Sequence, residues 1–261
     1  MRGEVAAGPT GERAVRALAA GGCVDPEGEA AALLEAANEG AGAVDALVER
    51  RLQGEPLAWI TGRVWFCDVP VRVDRGVFVP RPHTEGLARR AVDLLPEDGV
   101  GVDLCTGSGA VAAVLRSERP NAIVLATDLD PVAVACARAN GIEALPGDLD
   151  APIPAEVRRR VDVVTAVVPY VPSEELHLLP RDVLEHEPRR ALDGGAGGTA
   201  ILVRAAAAAA RLLRPGGSVL LELGGDQAAE IATTLADEGL NGARVLGDED
   251  GRDRAIEARR A

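Results

Sequence analysis

From residue 100 onward, short apolar runs of strand length alternate with longer segments whose apolar positions recur at helical spacing. This pattern predicts strands near residues 101–104, 122–127, 142–145, 161–167 and 217–223. It also predicts helices near 109–117, 131–139, 200–213 and 227–238, followed by terminal strands near 243–247 and 254–258. Repeated strand–helix units are typical of a parallel, doubly wound sheet, so we expect an α/β fold. Ligands of such sheets bind beyond the carboxyl ends of the strands, where the strand order reverses.

Residue types that favour helix ends support these boundaries. Asp25-Pro26 and Asp130-Pro131 each combine a capping side chain with proline in the first helical position. The run Pro-Gly-Gly at residues 215–217 is predicted to separate the alanine-rich helix from the strand that follows it.

Residues 1 to about 60 are predicted to form short helices. After Asp25, three apolar residues fall on one helix face, namely Leu33, Leu34 and Ala37. A second helix with apolar positions at helical spacing is able to pack on this face through Val44, Leu47, Val48 and Leu52. We interpret residues 1–60 as a small helical domain whose composition indicates no chemistry of its own.

A linker is predicted to follow at residues 61–78. Residues 63–73 alternate apolar and polar side chains and are interrupted near Asp68, which indicates a β-hairpin. In the next segment, residues 78–85, two prolines favour a rigid, extended loop. We expect Thr84 to cap a helix that runs from Glu85 to about Leu95.

Composition and charge exclude several classes of function. The chain has 261 residues, 47% of them hydrophobic, and a formal net charge of −13, which argues against direct nucleic-acid binding because phosphate backbones require basic surfaces. The sequence contains no run of about eighteen consecutive apolar residues, so no membrane span is predicted. The four cysteines form no C-x-x-C pair and the N-terminus resembles no signal peptide, so we expect a cytoplasmic protein. The three histidines lack ligand spacing to cysteines or acids, so no metal site is predicted.

The strongest chemical signal is the turn after the first predicted strand of the sheet, at residues 102–110. Gly107 and Gly109 alternate with small polar residues there, so backbone N–H groups are able to approach a ligand closely. Asp128 ends the next strand about twenty residues later, where a carboxylate is able to accept hydrogen bonds from a ribose. We therefore expect a nucleoside ligand. Residues 107–112 also satisfy the G-x-G-x-x-A dinucleotide pattern, which keeps a nicotinamide-dependent dehydrogenase open at this point.

The fourth predicted strand of the sheet ends in Val-Val-Pro-Tyr-Val-Pro at residues 167–172. A strand that runs into Pro169-Tyr170 would bring an aromatic ring and a rigid turn beside the nucleoside site.

Together, these stretches resemble the peptide chain release factor N5-glutamine methyltransferases. Four segments carry the resemblance in the family's order, namely residues 78–85, 103–109, 167–172 and 185–195. Four shorter runs are also similar to the family, namely residues 54–60, 214–217, 222–227 and 251–254. A dehydrogenase explains neither the Pro-Arg-Pro-x-Thr-Glu loop nor the Pro-Tyr turn, so the methyltransferase interpretation displaces it.

The resemblance implies a class I methyltransferase fold, S-adenosylmethionine as cofactor and a release factor as protein substrate. It implies a substrate-recognition domain at residues 1–60, a hairpin linker at 61–78 and a cofactor-binding methyltransferase domain at 79–261. Residues 105–109 would line the methionine and ribose portions, Asp128 would bind the ribose hydroxyls, and Asp148 with Leu149 would flank the adenine. The cofactor set implied in this way is Asp103, Cys105, Thr106, Gly107, Ser108, Gly109, Asp128, Leu129, Asp148, Leu149 and Val167. The set beside the methyl acceptor is Val167, Val168, Pro169 and Tyr170, bordered by a substrate loop that contains Arg81, Pro82, Thr84 and Glu85.

The sequence departs from the family at three places. The family's Asn-Pro-Pro-Tyr motif is Val-Val-Pro-Tyr at residues 167–170, Cys105 replaces the first glycine of the turn, and His83 stands where an acidic or small polar residue is usual. In the family, the asparagine oxygen and the next backbone carbonyl accept the two amide hydrogens of the glutamine. Here Val168 retains its carbonyl, but Val167 has no polar side chain, a loss that by analogy costs about a hundredfold or more in rate.

Three interpretations follow from the missing asparagine. The protein still methylates a glutamine amide, slowly or with Glu185 or His186 as a substitute acceptor of hydrogen bonds. Alternatively, it methylates another nitrogen or oxygen, for example on a small molecule, with His83, His177 or His186 as base. In the third interpretation it binds S-adenosylmethionine without catalysis.

Overall fold

The computed structural model describes residues 8–261 and begins with four helices. These are α1 (Pro9–Ala20), α2 (Pro26–Asn38), α3 (Val44–Leu52) and α4 (Leu57–Thr61). The Asp25 side chain accepts a hydrogen bond from the Gly28 N–H at 3.0 Å, which confirms the predicted cap of α2. Leu33 and Leu47 are fully buried between the helices, whereas Leu52 is 44% exposed and lies outside their core. The prediction for residues 1–7 lies outside the described residues.

The predicted hairpin follows as β1 (Arg63–Phe66) and β2 (Val69–Arg72), paired antiparallel. Its two turn residues, Cys67 and Asp68, have φ values of 49° and 62°. Two consecutive positive φ angles are typical of the tight turns whose twist matches that of paired strands. The interruption predicted near Asp68 is therefore the tip of the hairpin.

Helix α5 (Glu85–Leu94) begins where predicted, but the predicted role of Thr84 as its cap is wrong. Residues Pro82–Thr84 form a short 3-10 turn that leads directly into α5, so the backbone of Thr84 is already helical. The Thr84 side chain is buried and its Oγ1 makes no hydrogen bond to the described residues. A capping hydroxyl requires an extended backbone at its own position, which the 3-10 turn prevents.

A mixed seven-stranded sheet forms the centre of the remaining chain, with the strand order β5-β4-β3-β6-β7-β9-β8. Its strands are β3 (Val100–Leu104), β4 (Ile123–Asp128), β5 (Glu143–Pro146), β6 (Val161–Ala166), β7 (Leu213–Glu222), β8 (Leu240–Gly247) and β9 (Asp253–Arg260). Strands β3 to β7 are parallel, and β9 pairs antiparallel with both β7 and β8. The strand order reverses between β3 and β6, so a ligand site is expected at the carboxyl ends of these two strands.

Helices cover both faces of the sheet. They are α5 together with α6 (Ala110–Glu118), α7 (Pro131–Ala139), α9 (Ala200–Leu212) and α10 (Ala228–Asp237), whereas the short α8 (Arg181–His186) has no buried residue and lies outside both cores. One core packs α9 and α10 against Val102 and Leu221, and the other packs α5, α6 and α7 against Ala126 and Leu220. Alternate strand residues thus face opposite layers, as period-2 geometry requires. Five alanines of α9 are buried, which brings this helix close to the sheet.

Strand β7 begins earlier than predicted. Its pairing with β6 shifts from Leu213 opposite Val161 to Ser218 opposite Val163, so the Pro-Gly-Gly run at 215–217 forms an irregularity within the strand. Proline and glycine are found in strands mainly at such bulges. Within residues 8–261, no helix combines the length and the apolar character that crossing a bilayer requires.

Candidate functional site

A cavity of about 830 Å³ lies at the carboxyl ends of β3 and β6 and is the candidate site. This volume is in the upper part of the range of about 300–1,000 Å³ found for pockets that bury one small ligand. The loops after β3, β4, β5 and β6 form one side, and the loop at residues 77–84 together with residues 179–193 forms the other. Its lining also includes Gly22, Cys23, Val24 and Arg51 from the helical N-terminal region.

The turn after β3 has alternating left-handed residues. Cys105, Gly107 and Gly109 have φ values of 55°, 57° and 82°. Cys105 adopts this conformation despite its side chain, at a cost of about 1–3 kcal/mol that the surrounding contacts must offset. At Gly109 a Cβ atom would lie 3.0 Å from the Cβ of Ala137, so glycine is needed here for close packing of α6 on α7.

Asp103 holds the turn from inside the sheet. Its carboxylate accepts hydrogen bonds from Thr106 Oγ1 at 2.5 Å and from Thr165 Oγ1 at 2.6 Å. Complete burial raises the pKa of Asp103 to about 6, although the two hydroxyl groups act in the opposite direction. Asp103 therefore joins β3, β6 and the turn into one rigid unit.

Asp128 ends β4 and connects the turn to the next loop. Its Oδ2 accepts the Gly107 N–H at 2.8 Å, and its Oδ1 accepts the Asp130 N–H at 2.8 Å. Burial raises the pKa of Asp128, while these backbone hydrogen bonds oppose the rise. Because each carboxylate oxygen has two acceptor sites, each retains one for a ligand hydroxyl.

Two further loops complete this half of the cavity. Leu129 follows Asp128 and is 71% exposed, so it offers an apolar surface that a flat ring is able to cover. Leu149 follows β5 and lies in the core beneath the cavity. Asp148 is half-exposed and forms an ion pair with Arg204 of α9 at 2.5 Å.

Residues 167–170, in the loop after β6, line the cavity as well. Among residues 8–261, no loop hydrogen bond ends on the Val168 carbonyl oxygen, and Val168 lines the cavity. Gln227 donates to the Tyr170 carbonyl oxygen at 2.9 Å and accepts the Gly224 N–H at 3.0 Å. Burial raises the pKa of the Tyr170 hydroxyl far above its usual value, so this group is a neutral donor.

The loop at residues 78–84 is fixed against the segment that contains Glu187. Arg81 forms an ion pair with the buried Glu187 at 2.5 Å and lies over the ring of Phe78 at 4.7 Å. Burial raises the pKa of Glu187, and Arg81 acts in the opposite direction. The ion pair is partly buried and hydrogen-bonded, so it holds the loop at the edge of the cavity.

No family model matches the sequence. The chain is 38% identical over 217 residues to the release factor glutamine methyltransferase of Neisseria gonorrhoeae, an alignment that covers 80% of this chain and 78% of the relative. It is 36% identical over 275 aligned positions to that of Moorella thermoacetica, which covers 95% of this chain and 96% of the relative.

The chain belongs to the release factor glutamine methyltransferase family. Among solved structures, the 16S rRNA N2 G1207 methyltransferase of T. thermophilus, in complex with AdoMet and guanosine, has a similar fold. The TM-score is 0.51 at 18% identity, and the match covers 76% of this chain and 44% of that chain. The class I methyltransferase fold predicted from the sequence is confirmed.

In this member of the release factor glutamine methyltransferase family, most of the predicted site residues meet at the cavity. Those that line it are Arg81, Thr84, Asp103, Cys105, Thr106, Gly107, Ser108, Asp128, Leu129, Asp148, Leu149, Val167, Val168, Pro169 and Tyr170. Gly109, Pro82 and Glu85 are absent from the lining: Gly109 packs against α7, and Glu85 pairs with Arg89 on the surface of α5. The ligand-binding roles of all these residues stay predictions.

Three residues that sequence reasoning passed over matter to the site. Arg190 and Arg204 line the cavity and form ion pairs with Asp130 and Asp148, respectively. Glu222 ends β7 beside His83, at 3.5 Å. Glu222 begins one of the runs that resemble the family, and its place at the end of a strand was the signal that could have identified it.

The residues present fit the adenosine-bearing cofactor that the resemblance implies. Asp128 has free acceptor sites for a ribose diol, and the exposed Leu129 adjoins it. Ser108 is buried in the lining and its Oγ has no hydrogen-bond partner within residues 8–261, so a polar ligand group is able to satisfy it. Within the same residues, no cluster of three His, Cys, Asp or Glu side chains has the geometry to hold a metal ion.

Proposed function

We propose that this protein transfers the methyl group of S-adenosylmethionine to the side-chain amide nitrogen of a glutamine in a peptide chain release factor. The observation that carries the proposal is that one cavity joins the glycine turn and Asp128 to the Val-Val-Pro-Tyr turn. A nucleoside cofactor and an acceptor side chain would thus meet at the point where the strand order reverses. The membership of the family supports the choice of acceptor.

On the cofactor side, Asp128 would orient the ribose through its free acceptor sites, and Leu129 with Leu149 would border the adenine. S-adenosylmethionine supplies an electrophilic methyl group on a positively charged sulfur. The hydrogen bond from the Gly107 N–H to Asp128 fixes the turn against β4, so the two parts of the cofactor site are held in one geometry before binding.

On the acceptor side, the amide nitrogen is a poor nucleophile because its lone pair is delocalised into the carbonyl. The enzyme must therefore direct both N–H bonds away from the methyl group and align the lone pair with it. The Val168 carbonyl oxygen would accept one N–H. The half-buried ring of Tyr170 would limit the positions open to the amide.

The protein substrate would enter where the cavity reaches the helical N-terminal region. Val24 lies at this end and is 99% exposed, and Leu179 and Val183 line the facing segment. We propose residues 1–60 as the substrate-recognition domain, residues 61–78 as the linker and residues 79–261 as the methyltransferase domain. We expect the enzyme to act in the cytoplasm, where release factors function, and to contact no nucleic acid directly because its net charge is −13.

A second candidate function is methylation of a different nitrogen or oxygen, for example on a small molecule. Val167 favours this alternative because it offers no side-chain oxygen to the second N–H of a glutamine amide. A better nucleophile would not require that contact.

The decisive experiment incubates the protein with S-adenosylmethionine and a release factor that carries an unmodified glutamine, and then measures the peptide mass. A gain of one methyl group at glutamine supports the proposal. No gain in the unaltered protein, with a gain in Val167→Asn, supports a changed acceptor. No gain in either protein, with cofactor binding intact by calorimetry, contradicts glutamine methylation.

A further inference from the structure

Glu222 is a buried carboxylate that lacks the partners such a group normally requires. It is the last residue of β7, and its side chain is 1% exposed. Neither carboxylate oxygen accepts a hydrogen bond of good geometry from residues 8–261, although the Tyr170 hydroxyl lies close enough for Glu222 to raise the pKa of Tyr170. An unpaired buried charge is costly, so a retained one needs a compensating group nearby. The nearest cationic candidate is His83, whose Nε2 lies 3.5 Å from Glu222 Oε1.

His83 connects Glu222 to the cavity. Its Nε2 also lies 3.4 Å from the Tyr170 hydroxyl, and His83 lines the cavity that Val167 and Val168 line as well. Glu222 is not part of the lining, so it has no direct access to a ligand. A proton on Nε2 that is directed at Glu222 leaves Nδ1 as the basic nitrogen of the ring. No hydrogen bond within the described residues uses Nδ1.

The chemistry of amide methylation calls for such a group. The neutral amide nitrogen gains a methyl group and must lose a proton, and in the proposed arrangement the Val168 carbonyl oxygen would accept only one of its two N–H bonds. Tyr170 is unsuited to accept the proton because burial and Glu222 keep its hydroxyl protonated. Arg81 and Arg254 are the cationic side chains whose charge acts on Tyr170, and neither is a proton acceptor.

We propose that His83 accepts the second N–H of the substrate amide through Nδ1 and removes its proton, and that Glu222 positions His83 for this role. As the N–C bond forms, the S–C bond breaks and leaves its electron pair on sulfur. The N–H bond breaks as well, and the proton passes to Nδ1 while its electron pair stays on nitrogen. Glu222 stabilises the resulting imidazolium, which then releases the proton to water. This inference rests on the proposed function, and it assigns to His83 the contact that Val167 is unable to make.

The first comparison uses the unaltered chain, His83→Asn, Glu222→Gln and a control, His177→Asn. His177 is an exposed histidine on a short 3-10 turn and lies outside the cavity. We expect His83→Asn to lower kcat for release-factor methylation by about a hundredfold, with KM and cofactor affinity nearly unchanged. His177→Asn should retain full activity.

Two measurements separate proton removal from a structural role. Imidazole added to His83→Gly should restore part of kcat in a saturable manner, and it should leave the unaltered protein unaffected. Glu222→Gln alone should lower kcat by about tenfold, yet it should cause no further loss in the His83→Asn background, since it acts through His83.

If His83→Asn methylates the release factor as fast as the unaltered protein does, this inference is refuted and the proposed function stays intact. Failure of imidazole to rescue a folded, cofactor-binding His83→Gly protein would also refute it. If the unaltered protein binds cofactor but methylates no glutamine, the proposed function fails and the inference fails with it.

Discussion

Protonation of Asp103 should control the stability of this protein between weakly acidic and neutral pH. The carboxylate is buried in the sheet and contacts two threonine hydroxyls, those of Thr106 and Thr165. Substitution Asp103→Asn preserves the shape of the side chain. The amide oxygen accepts a hydrogen bond from one hydroxyl, and the amide N–H₂ donates to the other, because a threonine oxygen is both donor and acceptor. The substitution therefore removes the charge while the hydrogen bonds are retained.

The magnitude follows from the two pKa values. An aspartate in the unfolded chain has a pKa of about 3.9, whereas burial raises the pKa of Asp103 to about 6 in the folded protein. Between these values the folded state keeps a proton that the unfolded state releases, so the free energy of unfolding falls as pH rises. A difference of about two units corresponds to about 3 kcal/mol, fully present above the folded pKa. Asparagine has no such dependence.

As pH rises from about 4 to about 8, the unaltered protein should therefore lose about 3 kcal/mol of unfolding free energy that Asp103→Asn does not lose. Urea unfolding followed by circular dichroism at several pH values measures this difference directly. Asp226→Asn, at an exposed aspartate, is the matched control and should show a much smaller dependence. If the difference in unfolding free energy between Asp103→Asn and the unaltered protein stays constant over this pH range, the conclusion that burial raises the pKa of Asp103 is refuted.

Two further predictions concern the cofactor and the acceptor. Asp128→Ala should weaken binding of S-adenosylhomocysteine, measured by calorimetry, by about 1–3 kcal/mol. The control is Asp162→Ala, because the Asp162 carboxylate also accepts a backbone N–H but lies at the start of β6. This control should lower only the unfolding temperature. Equal losses of affinity in both variants would argue against a ribose contact. Gly224→Ala would place a Cβ atom 2.6 Å from the Tyr170 ring, so we expect kcat to fall by about a hundredfold at saturating cofactor. Gly86→Ala, where the new methyl group meets nothing within 4 Å, should leave kcat unchanged, and a similar loss there would contradict this reasoning.

Much of the fold follows from local patterns in the sequence. The cap of α2 at Asp25, the hairpin tip at Asp68 and the start of α7 after Asp130 were all predicted, and each depends on residues within a few positions of one another. The order of strands and helices after residue 100 was predicted for the same reason. Co-occurring motifs in the right order also identified the family, which the relatives confirm.

Local patterns failed where distant packing overrides local preference. Thr84 has the residue type and position of a helix cap, yet the 3-10 turn and burial of its side chain exclude that role. At Gly109, in the predicted glycine turn, the structure adds a close contact with α7 that the lack of a Cβ permits, and its role toward a ligand stays a prediction. Both contacts come from the folded packing, which residue spacing does not encode.

The sequence by itself determined the elements, the turn that would approach a nucleoside and the absence of asparagine at position 167. Only the tertiary structure decided which side chains meet around the acceptor. His83 lies before α5 and Glu222 at the end of β7, and they become neighbours because β6 and β7 are adjacent in the sheet and the loop at 78–84 folds over their ends. Such contacts depend on strand order and loop packing, since they are formed by segments far apart in the chain. Glu222 thus has an imidazole beside its buried carboxylate only because the fold brings these distant segments together.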